Sequence, residues 1–268
     1  MSDRVDFSPN AGVYDRRHGS VLSEEELGRL WTGASLHAGA RVLDVGAGTG
    51  RVAIPLASRG CRVVAVEPAA AMLERLRVKD GETAVETVET VLGEGGRLPF
   101  RTGSFDVVVI ARLLYLTPDW RTVLREALRM LASRGRLLHE WGNGEAGEEW
   151  VRVREEARRL FEQDGIHEPF HPGARSEAEV DGELGRLGLV RDGEIEMGAG
   201  ATVTLREFLR RLVEGELSYV WSVPDHVRAK CLPGLERWAE QEFDLDRPVA
   251  MPRKLRWTIH RKDAGVEA

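Results

Sequence analysis

Between residues 41 and 141 the chain alternates short apolar runs with amphipathic stretches, and this rhythm narrows its possible folds more than any other feature. It is the pattern of a parallel sheet buried on both faces by crossover helices. The runs 41–45, 62–67, 88–92, 105–111 and 136–141 read as strands, and 51–59, 69–79 and 119–132, with apolar residues three and four apart, read as helices. The third helix follows Thr117-Pro118-Asp119 and stops near Ser133-Arg134-Gly135, good start and stop signals. Its arginines 121, 125 and 129 form a stripe, read as a solvated face.

Beyond Trp141 the rhythm changes. Gly142-Asn143-Gly144 breaks the strand, helices are expected at 148–164 and 176–187, and 189–197 and 254–260 alternate as strands. Between those strands lie helical stretches at 204–214 and 224–243, separated by Tyr219-Val220-Trp221. That connection is too long for a hairpin and reads as a helical insertion over the sheet. Near the start, Ser23 and Glu26 form a capping box that opens a helix over 23–34.

With 268 residues the chain can bury one large core, and 42% hydrophobic with 31% charged residues is globular composition. No apolar run is long enough to span a bilayer, and residues 1–7 lack the order of a signal peptide, so a soluble cytoplasmic protein is expected. The two cysteines, Cys61 and Cys231, provide neither a disulfide framework nor a zinc site and are read as buried thiols. A net charge of -6 opposes a sequence-independent grip on nucleic acid, which depends on neutralising phosphates, and favours a small-molecule partner.

The chemistry centres on Val42-Leu43-Asp44-Val45-Gly46-Ala47-Gly48-Thr49-Gly50, which joins the first strand to its helix. Its glycines allow a sharp turn and close approach of a ligand to the peptide groups. The spacing is G-x-G-x-G, not the G-x-G-x-x-G of dinucleotide enzymes. Glu67 stands 21 residues after Gly46, at the end of the second strand, where a carboxylate can accept from both hydroxyls of a ribose.

These residues resemble the class I S-adenosylmethionine-dependent methyltransferases, and most closely their small-molecule type-11 group. The likeness rests on Leu43 to Gly50, Val66-Glu67-Pro68 with Ala71-Met72-Leu73, Gly93 to Phe100, Gly103 to Val108, Leu128 to Leu131 and Gly135 to Leu138, and on the N-terminal Tyr14-Asp15-Arg16. It implies a Rossmann-like α/β fold with a seven-stranded, mainly parallel sheet in the order 3-2-1-4-5-7-6. On this reading residues 1–268 are a single domain, with 1–35 as an N-terminal helical cover and 200–248 as a helical lid. It implies S-adenosylmethionine as cofactor and no metal. Gly46, Ala47 and Gly48 would meet its amino acid part, with Asp44 orienting that loop or binding the ammonium through water. Glu67 would hold the ribose, Pro68 and Met72 the adenine face, and Glu94, beside Gly95, the adenine amino group. Ala111 and Arg112 would lie by the methionine moiety, Arg112 alternatively facing the acceptor, and Tyr14 would close the site.

The implied activity is methyl transfer to an oxygen, nitrogen or carbon of a small molecule. Alternatives are a nucleic-acid or protein methyltransferase and a non-catalytic S-adenosylmethionine-binding protein. A nicotinamide oxidoreductase ranks below both on the glycine spacing. Tyr115, Trp141, Tyr219 and Trp221 are candidate acceptor-pocket aromatics, with core packing as the other reading. His139 and Glu140, at the end of the fifth strand, stand either as a general base or as structural groups packed in a central strand. His167 and His171 have helical metal-ligand spacing, but Pro169 between them argues for a loop pair without catalytic meaning.

Overall fold

A computed structural model of the chain describes residues 11, 14–15, 21–82, 88–142, 147–166, 172–197, 201–217, 220–221, 223–251 and 255–262. Its contacts divide into two compact units, the first made of Met1–Gly142, Gly173–Glu196 and Arg256–Ala268 and the second of Asn143–Pro172 and Met197–Leu255. The 200–248 insertion falls wholly within the second.

The first unit carries, in chain order, α1 (Glu24–Gly33), β1 (Arg41–Val45), α2 (Ala53–Ser58), β2 (Arg62–Glu67), α3 (Ala70–Gly81), β3 (Val88–Leu92), β4 (Phe105–Ala111), α4 (Trp120–Met130) and β5 (Leu131–Glu140). In the second unit, α5 (Glu148–Gln163) comes next. The chain then returns to the first for α6 (Glu177–Arg186) and β6 (Leu189–Met197). The second unit continues with β7 (Ala201–Thr204), α7 (Leu205–Val213), α8 (Asp225–Glu242) and β8 (Pro248–Met251), and β9 (Leu255–Lys262) ends the series.

Seven strands form one sheet in the order β3-β2-β1-β4-β5-β9-β6, as the resemblance implies. The strand expected as seventh is ninth in the chain because β7 and β8 pair with each other in the second unit. Those two short strands lie in stretches that carry no strand signal. β1 pairs in parallel with β2 and β4, and β5 runs antiparallel to β9. From β1 the chain steps outward to β2 and β3 on one side, then crosses back from β3 to β4 on the other side of β1. The loops after β1 and β4 therefore part, leaving the crevice in which open α/β sheets bind ligands.

Burial on both faces explains the near-continuous apolar strands, since every residue of β1 after Arg41 is buried. One face packs Leu43, Val45, Val108, Ile110 and Leu137 against Val123, Leu124 and Ala127 of α4 and Val180 and Leu184 of α6. The capping box is present: Ser23 Oγ accepts from Glu26 N–H at 3.2 Å, and the Glu26 carboxylate accepts from Ser23 N–H at 2.8 Å. One boundary differs from expectation. The helix expected to run to Ala132 ends at Met130, and Leu131 already has extended backbone (φ -73°, ψ 128°) and pairs with Phe105. The register then jumps, Val107 pairing with Arg136, so residues 132–135 bulge from the ladder. Gly135 permits this, because a Cβ there would stand 2.9 Å from the Asp106 carbonyl oxygen.

In the second unit Trp150, Val153, Ala157 and Phe161 form one face of α5 and share a core with Leu205, Leu209, Leu212, Val227 and Leu235. Trp150 and Phe208 meet edge to face, centroids 4.2 Å apart. Among the described residues no helix is long and apolar enough to cross a membrane.

Candidate functional site

β1 delivers the chain into the glycine loop at the crevice. Gly46 and Ala47 donate their N–H groups to the Val66 carbonyl oxygen at 2.8 and 3.1 Å, folding the loop back under the end of β2. Gly46, Gly48 and Gly50 have φ of 72°, 55° and 86°, a region that side-chain-bearing residues rarely enter. At Gly46 and Gly50 packing adds a second constraint: a Cβ would stand 2.9 Å from Leu113 and 2.8 Å from Ile54 and Leu76.

Glu67 closes β2 and turns into the loop. One carboxylate oxygen accepts from Gly48 N–H at 3.0 Å and the other from Ala69 N–H at 3.1 Å. Each oxygen keeps a further lone pair for a ligand hydroxyl. Burial raises the Glu67 carboxyl above the usual carboxylate range, and the two N–H donors oppose the rise. Asp44, one strand away, is 1% exposed, and its Oδ2 has no hydrogen-bond partner among the described residues. Burial pushes its pKa up to about 7, against the pull of Arg51.

β4 ends at Ala111, and Arg112 turns the chain with a φ of 55°. Its backbone N–H donates to the Glu140 carbonyl oxygen at 2.8 Å, and its Nε donates to the Glu140 carboxylate at 2.9 Å. Arg51, which follows the glycine loop, donates to the other oxygen of the same fully buried carboxylate. Burial and the Arg112 charge push the Arg51 guanidinium down to about 9.

Tyr14, Gly46, Gly48, Glu67, Pro68, Met72, Ala111 and Arg112, all expected at the site, line one cavity of about 590 Å³, counting space open to solvent. Burial raises the Tyr14 phenol above its ordinary range, opposed by Arg112 and Arg51. Three walls lacked a sequence signal: Leu113, Leu116 and Thr117, from the loop after β4. Arg51, which shares the Glu140 carboxylate with Arg112 and is not a cavity wall, lacked a sequence signal as well.

Other candidates stand elsewhere. Asp44 and Ala47 are buried at the base of the loop and are not cavity walls. Glu94 is exposed in the turn after the edge strand β3, and a Cβ on Gly95 would stand 2.7 Å from Val45 and 3.2 Å from Val123; neither residue lines the cavity. Tyr115 and Trp141 meet edge to face with centroids 5.5 Å apart, outside the cavity walls. In the second unit, Trp221 donates its indole N–H to the Gly215 carbonyl oxygen at 2.9 Å. Tyr219, His167 and His171 lie outside the described residues.

His139 and Glu140 take structural places. Glu140 is committed to Arg51 and Arg112. His139 is buried in the sheet, its ring nitrogens without hydrogen-bond partners among the described residues, and burial, with His260 nearby, pushes its pKa down to about 3. Neither side chain reaches the cavity wall.

These residues fit the S-adenosylmethionine that the resemblance implies. A partnerless buried carboxylate oxygen suits an ammonium, Glu67 suits a diol, and Pro68, Met72, Leu113 and Leu116 are apolar walls for a ring.

Comparison with known proteins points the same way. Residues 43–139 match the family model described as "Methyltransferase domain". The "Uncharacterized methyltransferase Rv3342" of Mycobacterium tuberculosis is 33% identical over 183 residues, 65% of this chain and 70% of that protein. The "Demethylmenaquinone methyltransferase" of Lactococcus lactis is 37% identical over 140 residues, 49% of this chain and 55% of that one. The "Uncharacterized methyltransferase YcgJ" of Bacillus subtilis is 33% identical over 139 residues, 52% of this chain, and only 54% of its length is spanned. The crystal structure of YcgJ superposes with a TM-score of 0.61 at 20% identity, covering 90% of this chain and 100% of that one, a likeness of fold.

Proposed function

Because the chain belongs to the class I S-adenosylmethionine-dependent methyltransferases, we propose that it transfers the cofactor's methyl group to an oxygen, nitrogen or carbon nucleophile of a small molecule, releasing S-adenosylhomocysteine. The observation that carries this reading is the Glu67 carboxylate drawn onto the G-x-G-x-G loop at the wall of a cavity in the sheet's crevice. When bound, the cofactor supplies a sulfonium methyl, which is already a strong electrophile. The chain's own task is then to hold and align the reactants and exclude water.

The residues divide that task. Gly46 and Gly48 present backbone to the amino acid part, Ala47 holds the turn between them, and Asp44, buried beneath the loop, orients it or meets the ammonium through water. Glu67 holds the ribose, Pro68 and Met72 flank the adenine, Ala111 and Arg112 border the methionine moiety, and Tyr14 covers the whole. A small-molecule acceptor is supported by the net charge of -6 and by the likeness to a relative named "Demethylmenaquinone methyltransferase".

Calorimetric titration with S-adenosylhomocysteine and NAD side by side tests the reading. One S-adenosylhomocysteine per chain and no NAD is expected; tight NAD binding without the former would overturn it. Glu67→Ala should weaken S-adenosylhomocysteine by roughly 100-fold, the loss of two charge-assisted hydroxyl contacts. Wild-type affinity in that variant would remove the ribose role alone.

A further inference from the structure

Asp15, beside the cavity wall Tyr14, makes contacts that the cofactor reading does not use. Its side chain is 11% exposed. One oxygen accepts from the Thr49 hydroxyl and, at 3.0 Å, from Lys79 Nζ, and the other accepts from Arg75 Nη2 at 3.3 Å. Thr49 stands in the glycine loop between Gly48 and Gly50 and is 1% exposed, whereas Arg75 and Lys79 belong to α3. One carboxylate thus joins three separate pieces of chain: the N-terminal segment, the loop and the helix after β2.

Apolar packing accompanies this polar tie. Ala11 and Tyr14 lie in one cluster with Ala69, Ala71 and Met72 at the start of α3. Tyr14 also faces the loop, since a Cβ on Gly48 would stand 3.8 Å from its Cε1. Burial disfavours the Asp15 charge, yet the Thr49 and Lys79 contacts more than compensate and hold its carboxyl below the usual range. A charge held ionised in such a place costs desolvation and returns geometry: it fixes where Tyr14 can sit and which way Thr49 turns.

We propose that Asp15 is a positioning residue that locks the glycine loop and Tyr14 into a single cofactor-receiving arrangement, so that loop and N-terminal segment engage the cofactor together. This rests on the cavity being the S-adenosylmethionine site.

The test is calorimetric titration of the full chain with S-adenosylhomocysteine in wild type, Asp15→Ala, Asp15→Asn, Thr49→Val, Tyr14→Ala and the Asp15→Ala/Tyr14→Ala double variant, with thermal melts of each. Asp15→Ala should bind roughly 30-fold more weakly, and Asp15→Asn, which still accepts from Thr49 but loses its ion pairs, should fall between it and wild type. Thr49→Val, the milder change should Asp15→Ala fold poorly, should lose roughly tenfold. In the Tyr14→Ala background the Asp15→Ala loss should shrink to about threefold or less, because the residue acts through Tyr14. Asp15→Ala binding within twofold of wild type, or losing the same factor with and without Tyr14, would overturn the proposal. Wild type that failed to bind S-adenosylhomocysteine would instead overturn the cofactor reading beneath it.

Discussion

Asp44 makes cofactor affinity depend on pH. Its carboxyl is buried, one oxygen lacks a partner among the described residues, and its pKa is pushed up to about 7. A ligand ammonium held in the cavity over the loop favours the ionised form of this carboxyl beneath it, so binding should expel the proton wherever Asp44 still carries one. With a pKa near 7, roughly nine-tenths of the carboxyl is protonated at pH 6 and roughly nine-tenths ionised at pH 8. S-adenosylhomocysteine should therefore bind about tenfold more weakly at pH 6 than at pH 8, releasing about half a proton near pH 7. Calorimetry in two buffers of different ionisation enthalpy reads both quantities. The ligand-free protein should show the reverse trend. The unfolded carboxyl titrates near 3.8 and the folded one near 7, so between those values the native state keeps a proton that the unfolded chain has lost. Stability on this account falls as pH rises through that window and levels off above it, by at most about 4 kcal/mol. Asp44→Asn should flatten both profiles. A wild-type affinity equal at pH 6 and pH 8, or a slope surviving in Asp44→Asn, would refute the reasoning.

Three further outcomes are expected. Glu140→Gln leaves Arg51 and Arg112 without their shared buried carboxylate, and urea denaturation should show a loss of roughly 3–5 kcal/mol. His139, held neutral down to about pH 3, binds its proton mainly in the unfolded chain, so native stability is lost as pH falls below about 6.5. His139→Leu should remove about 1.4 kcal/mol of that loss at pH 5.5 while leaving S-adenosylhomocysteine binding intact; abolished binding would put His139 back among the site residues. Gly50→Ala places a Cβ 2.8 Å from Ile54 and Leu76 at a φ of 86°, and should lower thermal stability by roughly 1–3 kcal/mol with cofactor affinity falling alongside.

Most of the sheet was legible because each of its signals is local. Alternating apolar runs mark the parallel strands, Ser23 with Glu26 marks a helix start, and the glycines with Glu67 mark the ligand edge. What escaped was non-local. Leu131 sits in an amphipathic helical pattern, yet it extends, because pairing with Phe105 satisfies its backbone in the ladder. β7 and β8 are four residues each, and their pairing partners are 44 or more positions apart. Glu94, expected from the resemblance at the adenine amino group, follows an edge strand, where the turn leaves it exposed.

The glycines that reach positive φ and the strand-ending Glu67 could be named from spacing, whereas Pro68, Met72, Ala111, Arg112 and Tyr14 were implied by the family resemblance. Long side chains were different. Spacing could not say that Arg51 and Arg112 converge on Glu140, that Thr49, Arg75 and Lys79 converge on Asp15, or that His139 lies inside the sheet. Backbone conformation follows from neighbours along the chain, which the order of residues records. Ion pairing and burial follow from which strands and helices stack, and so depend on groups tens of residues apart meeting in a low-dielectric interior where an unmatched charge is costly.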